Sequence, residues 1–434
     1  MNRAVSLPVA ALLFLAVTGA SAGNAGADTR IFTLTEAVEH ALANNGELKA
    51  ARSGHEAAQA GTVRAGLYPN PVLELEGSTG ALTGSSNESS MELAISQEVL
   101  LGGKRAKRLA AAERDVEAVR WWLADRERLT ALDVKTAYAD LLLAQQRLGL
   151  AKQAADLGSR LLALTKERFA AGDIPELEVN LARVEAARSD SERVAAEREI
   201  VPVRSRLSTL MGLEPGTEAA VIAPPDEQPF TAGVAGLVTR AREHRPDLKA
   251  LTAEQAKGEA EVSLARSEGI PNLTVGLFVA HERSTDAIGT DEEKTRDTIV
   301  GVRLSLPLPV FDRNQAGIRE AGARRGGAEA RLVAARVALE REVEAEHALM
   351  AAAEEVLCLY AKDILPRLKE NLALVQEAYG LGEADILAVI EEQKKYVEVH
   401  GAYLTAVHAR QTARARLEAA LGAPLDELTT GGTQ

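Results

Sequence analysis

Each half of this chain contains a stretch of about 68 residues, 103–170 and 313–379, that keeps a helical period and is nearly free of strong breakers. At 1.5 Å per residue such a helix is about 100 Å long. That is several times the width of a globular domain, so the chain is constrained towards a rod. The two stretches belong to a duplication. Shifted by about 200 positions, Glu47-Leu48-Lys49-Ala50 meets Asp247-Leu248-Lys249-Ala250 and Tyr68-Pro69-Asn70 meets Ile270-Pro271-Asn272. Shifted by about 210, Leu162-Ala163-Leu164 meets Leu372-Ala373-Leu374, Phe169-Ala170-Ala171-Gly172 meets Tyr379-Gly380-Leu381-Gly382, and Gly212 meets Gly422. Two long units make a duplicated domain and not a solenoid.

Each unit follows the same order. A helix of about 30 residues (Leu34 to Gly66; Leu237 to Gly269) ends at a proline-containing break, and two short strands follow. The long helix comes next, then a glycine turn, then a return helix of about 36 residues (Pro175 to Met211; Asp385 to Leu421). Laid end to end, the two shorter helices match the long one. Val134, Leu141, Leu148, Ala155 and Leu162 recur every seven residues, as do Val343, Met350, Leu357 and Ile364. This predicts narrow coiled-coil-like seams between otherwise polar helices. Pro202 and Pro366 are expected to kink their helices. A tube wall wet on both sides and an ordinary helical bundle both satisfy this pattern.

The strands separate those readings. Leu273, Val275, Leu277 and Val279 share one face, and so do Val300, Val302, Leu304 and Leu306, with a polar loop expected over 281–297. Val72 to Glu76 and Met91 to Ser96 also alternate, around a Gly/Ser/Asn-rich loop at 77–90. Strands of about 10 residues, apolar on one face and joined by long hydrophilic loops, have the pattern of outer-membrane barrel hairpins. Four strands cannot close a barrel, since the smallest have about eight. Either the hairpins pack on a soluble domain, or about three copies pool their strands.

The N-terminus reads as an export signal over 1–27: Asn2-Arg3, an apolar run from Ala4 to Val17, and cleavage after Ala22 or Ala27. The first repeat then covers 28–232, with its hairpin near 71–98, and the second covers 233–434, with its hairpin near 272–308. After the signal no apolar run reaches the roughly 18 residues of a transmembrane helix. A net charge of −13 argues against a nucleic-acid partner, and the one cysteine, Cys358, excludes an intramolecular disulfide framework. The seven histidines show no paired ligand spacing, so neither a bound metal nor a cofactor is expected. No Ser-His-Asp set, paired catalytic carboxylates or phosphate loop is found, so no enzymatic activity is expected.

Three motifs bring a resemblance. They are Tyr68-Pro69-Asn70-Pro71 before the first strand, Leu101-Gly102-Gly103-Lys104-Arg105 opening the long helix, and the run from Leu304 to Gln315 leaving the second hairpin. With the duplicated plan, they resemble the outer-membrane efflux protein (TolC) family over essentially all of the mature chain. The last two motifs are most like its heavy-metal (CzcC-like) branch. The resemblance implies a mainly α fold with a small β part. Duplicated long-helix hairpins form a periplasmic α-helical barrel, and four strands per chain join a trimeric outer-membrane β-barrel. It also implies a homotrimer in a Gram-negative outer membrane, joined by a periplasmic adaptor to an inner-membrane pump of the resistance-nodulation-division type. The chain would be a passive exit duct for heavy-metal cations, with drugs, other organic solutes or type I protein secretion as alternative cargo. A periplasmic coiled-coil protein without a pore is the competing reading.

The same resemblance places adaptor docking and closure at the two tips, Phe169, Gly172 and Asp173 with Tyr379, Gly382 and Glu383. Glu178, Asp385 and Glu391 are candidate gate or lumen carboxylates, which threefold symmetry would turn into rings. Acids at helix starts also serve the helix dipole. Glu391 is the nearest match to aspartates that family members carry after the second tip, and one such position is Ala388 here. Tyr68 and Phe311 would sit at the membrane interface.

Overall fold

The computed structural model describes residues 28–82, 84, 87–225, 230, 233–288 and 291–425. The export signal at 1–27 lies outside the described residues. The duplication is visible in the order of the elements. The first repeat runs β1 (Asp28–Phe32), α1 (Leu34–Asn44), α2 (Gly46–Gly66), β2 (Val72–Thr79), β3 (Ser89–Val99), α3 (Lys104–Ala171), α4 (Glu176–Met211) and β4 (Thr217–Val221). The second runs α5 (Val234–His244), α6 (Pro246–Glu268), β5 (Leu273–Ile288), β6 (Asp291–Ser305), α7 (Gln315–Leu359), α8 (Leu365–Leu381) and α9 (Ile386–Leu421). β1 and β4 have no counterpart among the described residues of the second repeat.

The expected helix of about 30 residues is two helices in each repeat. Arg245 precedes Pro246, whose ring disfavours the helical region for it, and it adopts φ −59°, ψ 121°. Asn45 takes nearly the same conformation, φ −56°, ψ 129°. Its side-chain oxygen caps α2 at the N–H groups of Glu47 and Leu48 (2.9 and 3.1 Å), and its amide donates to the Leu210 carbonyl at 2.8 Å. Arg245 makes the equivalent connection by donating to the Ala420 carbonyl at 3.4 Å. At each elbow a left-handed glycine, Gly212 or Gly422, ends the return helix against this break. A Cβ on Gly212 would meet the Asn44 carbonyl at 2.6 Å, so the glycine is sterically required.

α3 organises the rest. Its first half lies between α2 and α6, joined by the Arg52–Glu127 and Lys257–Asp115 ion pairs (3.0 and 2.8 Å). Its second half lies between α4 and α9. There Gly158 approaches the Ala186 backbone, and nearer the middle of α3 the Lys135 ammonium and Arg128 guanidinium reach Glu418 and the Ala419 carbonyl of α9. With α7 beside α6 and α9, the helices form one layer.

Two apolar clusters sit where the short helices cover the long ones: Phe32, Tyr138, Leu141, Leu207 and Met211 in one, Leu237, Leu339, Met350, Leu417 and Leu421 in the other. The first also holds a parallel pair, β1 with β4, that the sequence reading did not contain. The Tyr138 hydroxyl pins it, donating to the Ile222 carbonyl at 2.7 Å and lying 3.0 Å from that of Phe32.

The seams follow the heptads only in part. Val134, Leu141, Val343 and Met350 are fully buried, but Ile364 is 40% exposed, against expectation. A π-helical turn at Tyr360–Ile364, just before Pro366, inserts one residue into the spacing. The seam therefore moves from Leu357 to Leu365, Leu372 and Tyr379. α4 continues as α-helix through Pro202. In α3 no residue is inserted, and the buried positions drift to Gly158, Leu161 and Thr165. A straight helix turns by about 20° per heptad against a strict seven-residue repeat.

Arg245 is the most heavily used charge in the elbow. Burial opposes its charge, but bidentate pairing with Asp247 (2.9 and 2.6 Å) and a bond to Glu342 (2.5 Å) outweigh burial and hold it protonated. Arg245→Ala leaves Asp247 without its partner and is expected to cost about 3–5 kcal/mol. Chemical denaturation of the purified protein against wild type would measure this, and a loss below about 1 kcal/mol, the scale of an exposed pair, would contradict it.

Candidate functional site: the strand face and the helical tips

β2, β3, β5 and β6 form one antiparallel sheet in that order. Its register aligns the alternation predicted strand by strand. Leu73, Ile95, Leu277 and Val302 form one cross-strand row, and Leu75, Leu93, Val279 and Val300 form the next. All eight are exposed in the protomer, from 45% at Val279 to 74% at Val300. A continuous apolar sheet face of this kind marks contact with another protein or a membrane. The opposite face is polar: Glu92 pairs with Arg303 at 2.6 Å, and the Arg303 guanidinium lies 5.1 Å from the Phe278 ring centre. Phe278 covers Gly301 on the neighbouring strand, where a Cβ would fall 2.5 Å from the ring.

The second hairpin is longer than expected. β5 and β6 pair from Thr274–Ser305 to Ile288–Asp291, so most of the anticipated 281–297 loop is strand. Backbone pairing extends through polar residues because an antiparallel ladder outside the apolar zone needs no hydrophobic face. In the first hairpin β2 and β3 pair as far as Thr79–Ser89, which shortens the 77–90 loop likewise. The sheet joins the helices through tight backbone: Gly103 and Asn314, both left-handed, precede α3 and α7. Lys104, buried, donates to Asn272 at 2.6 Å, and Asn272 donates to Glu98 at 2.6 Å. At this end Tyr68 is 69% exposed, with the Arg105 guanidinium 4.4 Å from its ring centre, and Phe311 is 92% exposed.

At the far end of α3 the two tips have one geometry. Gly172 and Gly382 are left-handed caps (φ 85° and 80°). The Asp173 N–H donates to the Arg168 carbonyl (3.0 Å), and the Glu383 N–H to that of Ala378 (2.8 Å). This is the paired closure of a Schellman turn. The exposed Asp385 caps α9 at the Leu387 N–H (3.2 Å). Asp173, Glu383 and Glu391 are exposed.

The equivalent aromatics differ. Phe169 is 45% exposed, whereas Tyr379, on the shifted seam, is 1% exposed. Tyr379 joins the tips. Its hydroxyl donates to Glu178 at 3.1 Å, its carbonyl accepts from Arg168 at 2.9 Å, and its ring lies 5.0 Å from that guanidinium. Leu161, Ala182, Ile386, Val389 and Ile390 complete the packing. Glu178 is therefore half-buried and engaged within the protomer. Arg168 was missed by sequence reasoning, because an arginine in a last helical turn reads as a dipole partner. Buried Glu185 of α4, 3.3 Å from Lys394 of α9, was missed as well. Among the described residues no cluster of three His, Cys, Asp or Glu side chains is placed to hold a metal ion, and no helix is long and apolar enough to cross a membrane.

An exposed apolar sheet face continuous with a layer of roughly 100 Å helices defines an outer-membrane channel protein with a long helical extension. The chain belongs to the outer membrane efflux protein family, whose model matches residues 37–213 and 237–423. It is 27% identical to the cobalt-zinc-cadmium resistance protein CzcC of Cupriavidus metallidurans, over 90% of each chain. It is 28% identical to the nickel-cobalt-cadmium resistance protein NccC of Alcaligenes xylosoxydans xylosoxydans, over 64% of this chain and 60% of that one. Its fold matches a crystal structure of CusC with a TM-score of 0.72 at 19% identity, covering 90% and 92% of the two chains. The protein is an outer-membrane efflux channel.

Burial, followed by the bond to Glu178, raises the Tyr379 pKa to about 12 from the ordinary value near 10. The folded state thus favours the neutral phenol. Its contribution to tip stability is present below pH of about 10 and is lost as pH rises towards about 12. Hydrogen exchange at the tip amides is expected to report this loss in wild type. In Tyr379→Phe the step between those pH values disappears.

Proposed function

We propose that three copies of this chain form a closed duct that carries divalent heavy-metal cations out of the cell, as the outer-membrane part of a tripartite system with a periplasmic adaptor and a proton-driven inner-membrane pump. The observation that carries the duct is the four-strand sheet with both edges unpaired. Within hydrocarbon a strand edge has no water to satisfy its N–H and C=O groups, so spanning sheets must close. One copy cannot close, while three supply about 12 strands, enough for a barrel. The same operation brings the outer side of α2 and α4 beside α7 and α8 of the next copy.

The tips suit docking to the adaptor. Phe169, Asp173 and Glu383 are exposed there, and exposed aromatics and charges at rigid turns are what a partner helix can engage. Arg168, Tyr379 and Glu178 hold the two tips of one protomer together, which supports a closed resting state. Asp385 and Glu391 are the remaining candidates for carboxylate rings that favour cations. The metal cargo is supported by the CzcC and NccC relatives.

Reconstituted in planar bilayers, the purified protein is expected to give discrete conductance steps, and Arg168→Ala, which releases the tips, to raise the open fraction several-fold. A non-conducting protein would exclude the duct. In cells, deleting the gene is expected to increase sensitivity to cobalt, zinc and cadmium. Unchanged sensitivity to these metals alongside heightened sensitivity to organic toxicants would replace the cargo and leave the duct standing.

A further inference from the structure

A groove of about 740 Å³ lies between the upper half of α3 and the helices α5, α6 and α7. Four cations line it: Arg114, Arg242, Lys249 and Arg336. Two are neutralised in place, Arg114 by Glu117 at 2.9 Å and Arg242 by Glu340. Lys249 and Arg336 have no carboxylate within ion-pair distance among the described residues. The half-buried Lys249 is held instead against Trp121, its ammonium 4.9 Å from the ring centre. A cation–π contact fixes an ammonium without neutralising it. The groove therefore keeps an uncompensated positive charge on a chain whose net charge is −13, and its field favours an anion.

Shape narrows the class of anion. The floor is built from small side chains, Thr252, Ala253 and Ala256, and the one aromatic, Trp121, is already engaged by Lys249 and by Arg120 at 4.8 Å. Nothing here offers the deep apolar pocket in which a partner protein seats its anchor residues. An extended, polar, carboxylate-bearing strand fits such a surface. Trp121 lies 17 residues into α3, about 25 Å below the strands. That depth is inside the layer a periplasmic rod of about 100 Å has to cross. We infer that this groove binds the carboxylate-bearing stem peptides of the cell-wall peptidoglycan and tethers the channel to it.

The test is co-sedimentation of the detergent-purified full chain with isolated peptidoglycan sacculi, which reads binding independently of conductance. Wild type is expected to sediment with sacculi at low salt and to be released by about 0.5 M NaCl, where screening is short-ranged. Lys249→Glu with Arg336→Glu should reduce the bound fraction at least five-fold. The same charge change at Lys152 and Arg160, exposed cations on the lower half of α3, should leave it within two-fold. Glu340→Gln, which removes a carboxylate and leaves the fold's apolar contacts in place, should increase binding about two-fold. Sacculi whose carboxylates have been amidated should not bind wild type. The inference is overturned if wild type does not sediment, if amidated sacculi bind equally, or if the Lys152/Arg160 variant loses as much as the groove variant. It is also overturned if an acidic polypeptide such as polyglutamate binds the groove while sacculi do not.

Discussion

A backbone N–H or C=O left unpaired in hydrocarbon costs several kcal/mol, because no water is there to replace the missing partner. β2 and β6 each carry a row of such groups along a sheet whose outer face is apolar. The remainder of the architecture is arranged around that demand. The sheet has to be completed by other copies, so the helices beneath must form a layer with two free edges that close together with it. The left-handed Gly103 and Asn314, and the chain from the buried Lys104 through Asn272 to the exposed Glu98, fix the angle at which strands become helices, and so keep the two closures in step.

The duplication gives two answers to each structural problem. At the elbows, Asn45 and Arg245 take the same backbone conformation and reach equivalent carbonyls, one with a short amide and the other with a buried guanidinium held by two acids. The tips share one backbone closure but divide the work of their side chains. Phe169 faces outward and Tyr379 inward, and the cause lies some fifteen residues away in the π-helical turn beside Pro366. One inserted residue in the seam turns an equivalent position from surface to core. In this way the first tip presents a surface and the second locks it to its neighbour.

Much of the rod was legible because its signals are periodic. The length of α3, the glycine turns and the alternation of the strands are local patterns repeated many times, so each survives an occasional exception. The elbows were not read. A break inside a strong helical pattern depends on one residue, and Asn45 and Arg245 tie each elbow to its return helix through carbonyls 165 and 175 positions further on. The β1–β4 pair was missed for the same reason, since its short strands are joined across most of the first repeat. At the tips the glycines and acids were visible as types, while Arg168 had no pattern to mark it.

The sequence by itself determined that the chain is a duplicated, mainly helical rod bearing amphipathic strands, because periodicity and breakers are carried by neighbouring residues. Only the tertiary structure decided which positions on those helices face inward. The 3.6-residue turn, the drift of a straight helix against a heptad and a single π-helical turn rotate each seam by amounts that accumulate along 100 Å. That rotation buries Tyr379 against Arg168 and Glu178, leaves Phe169 outside, and brings Trp121, Lys249 and Arg336 from three different helices to one groove.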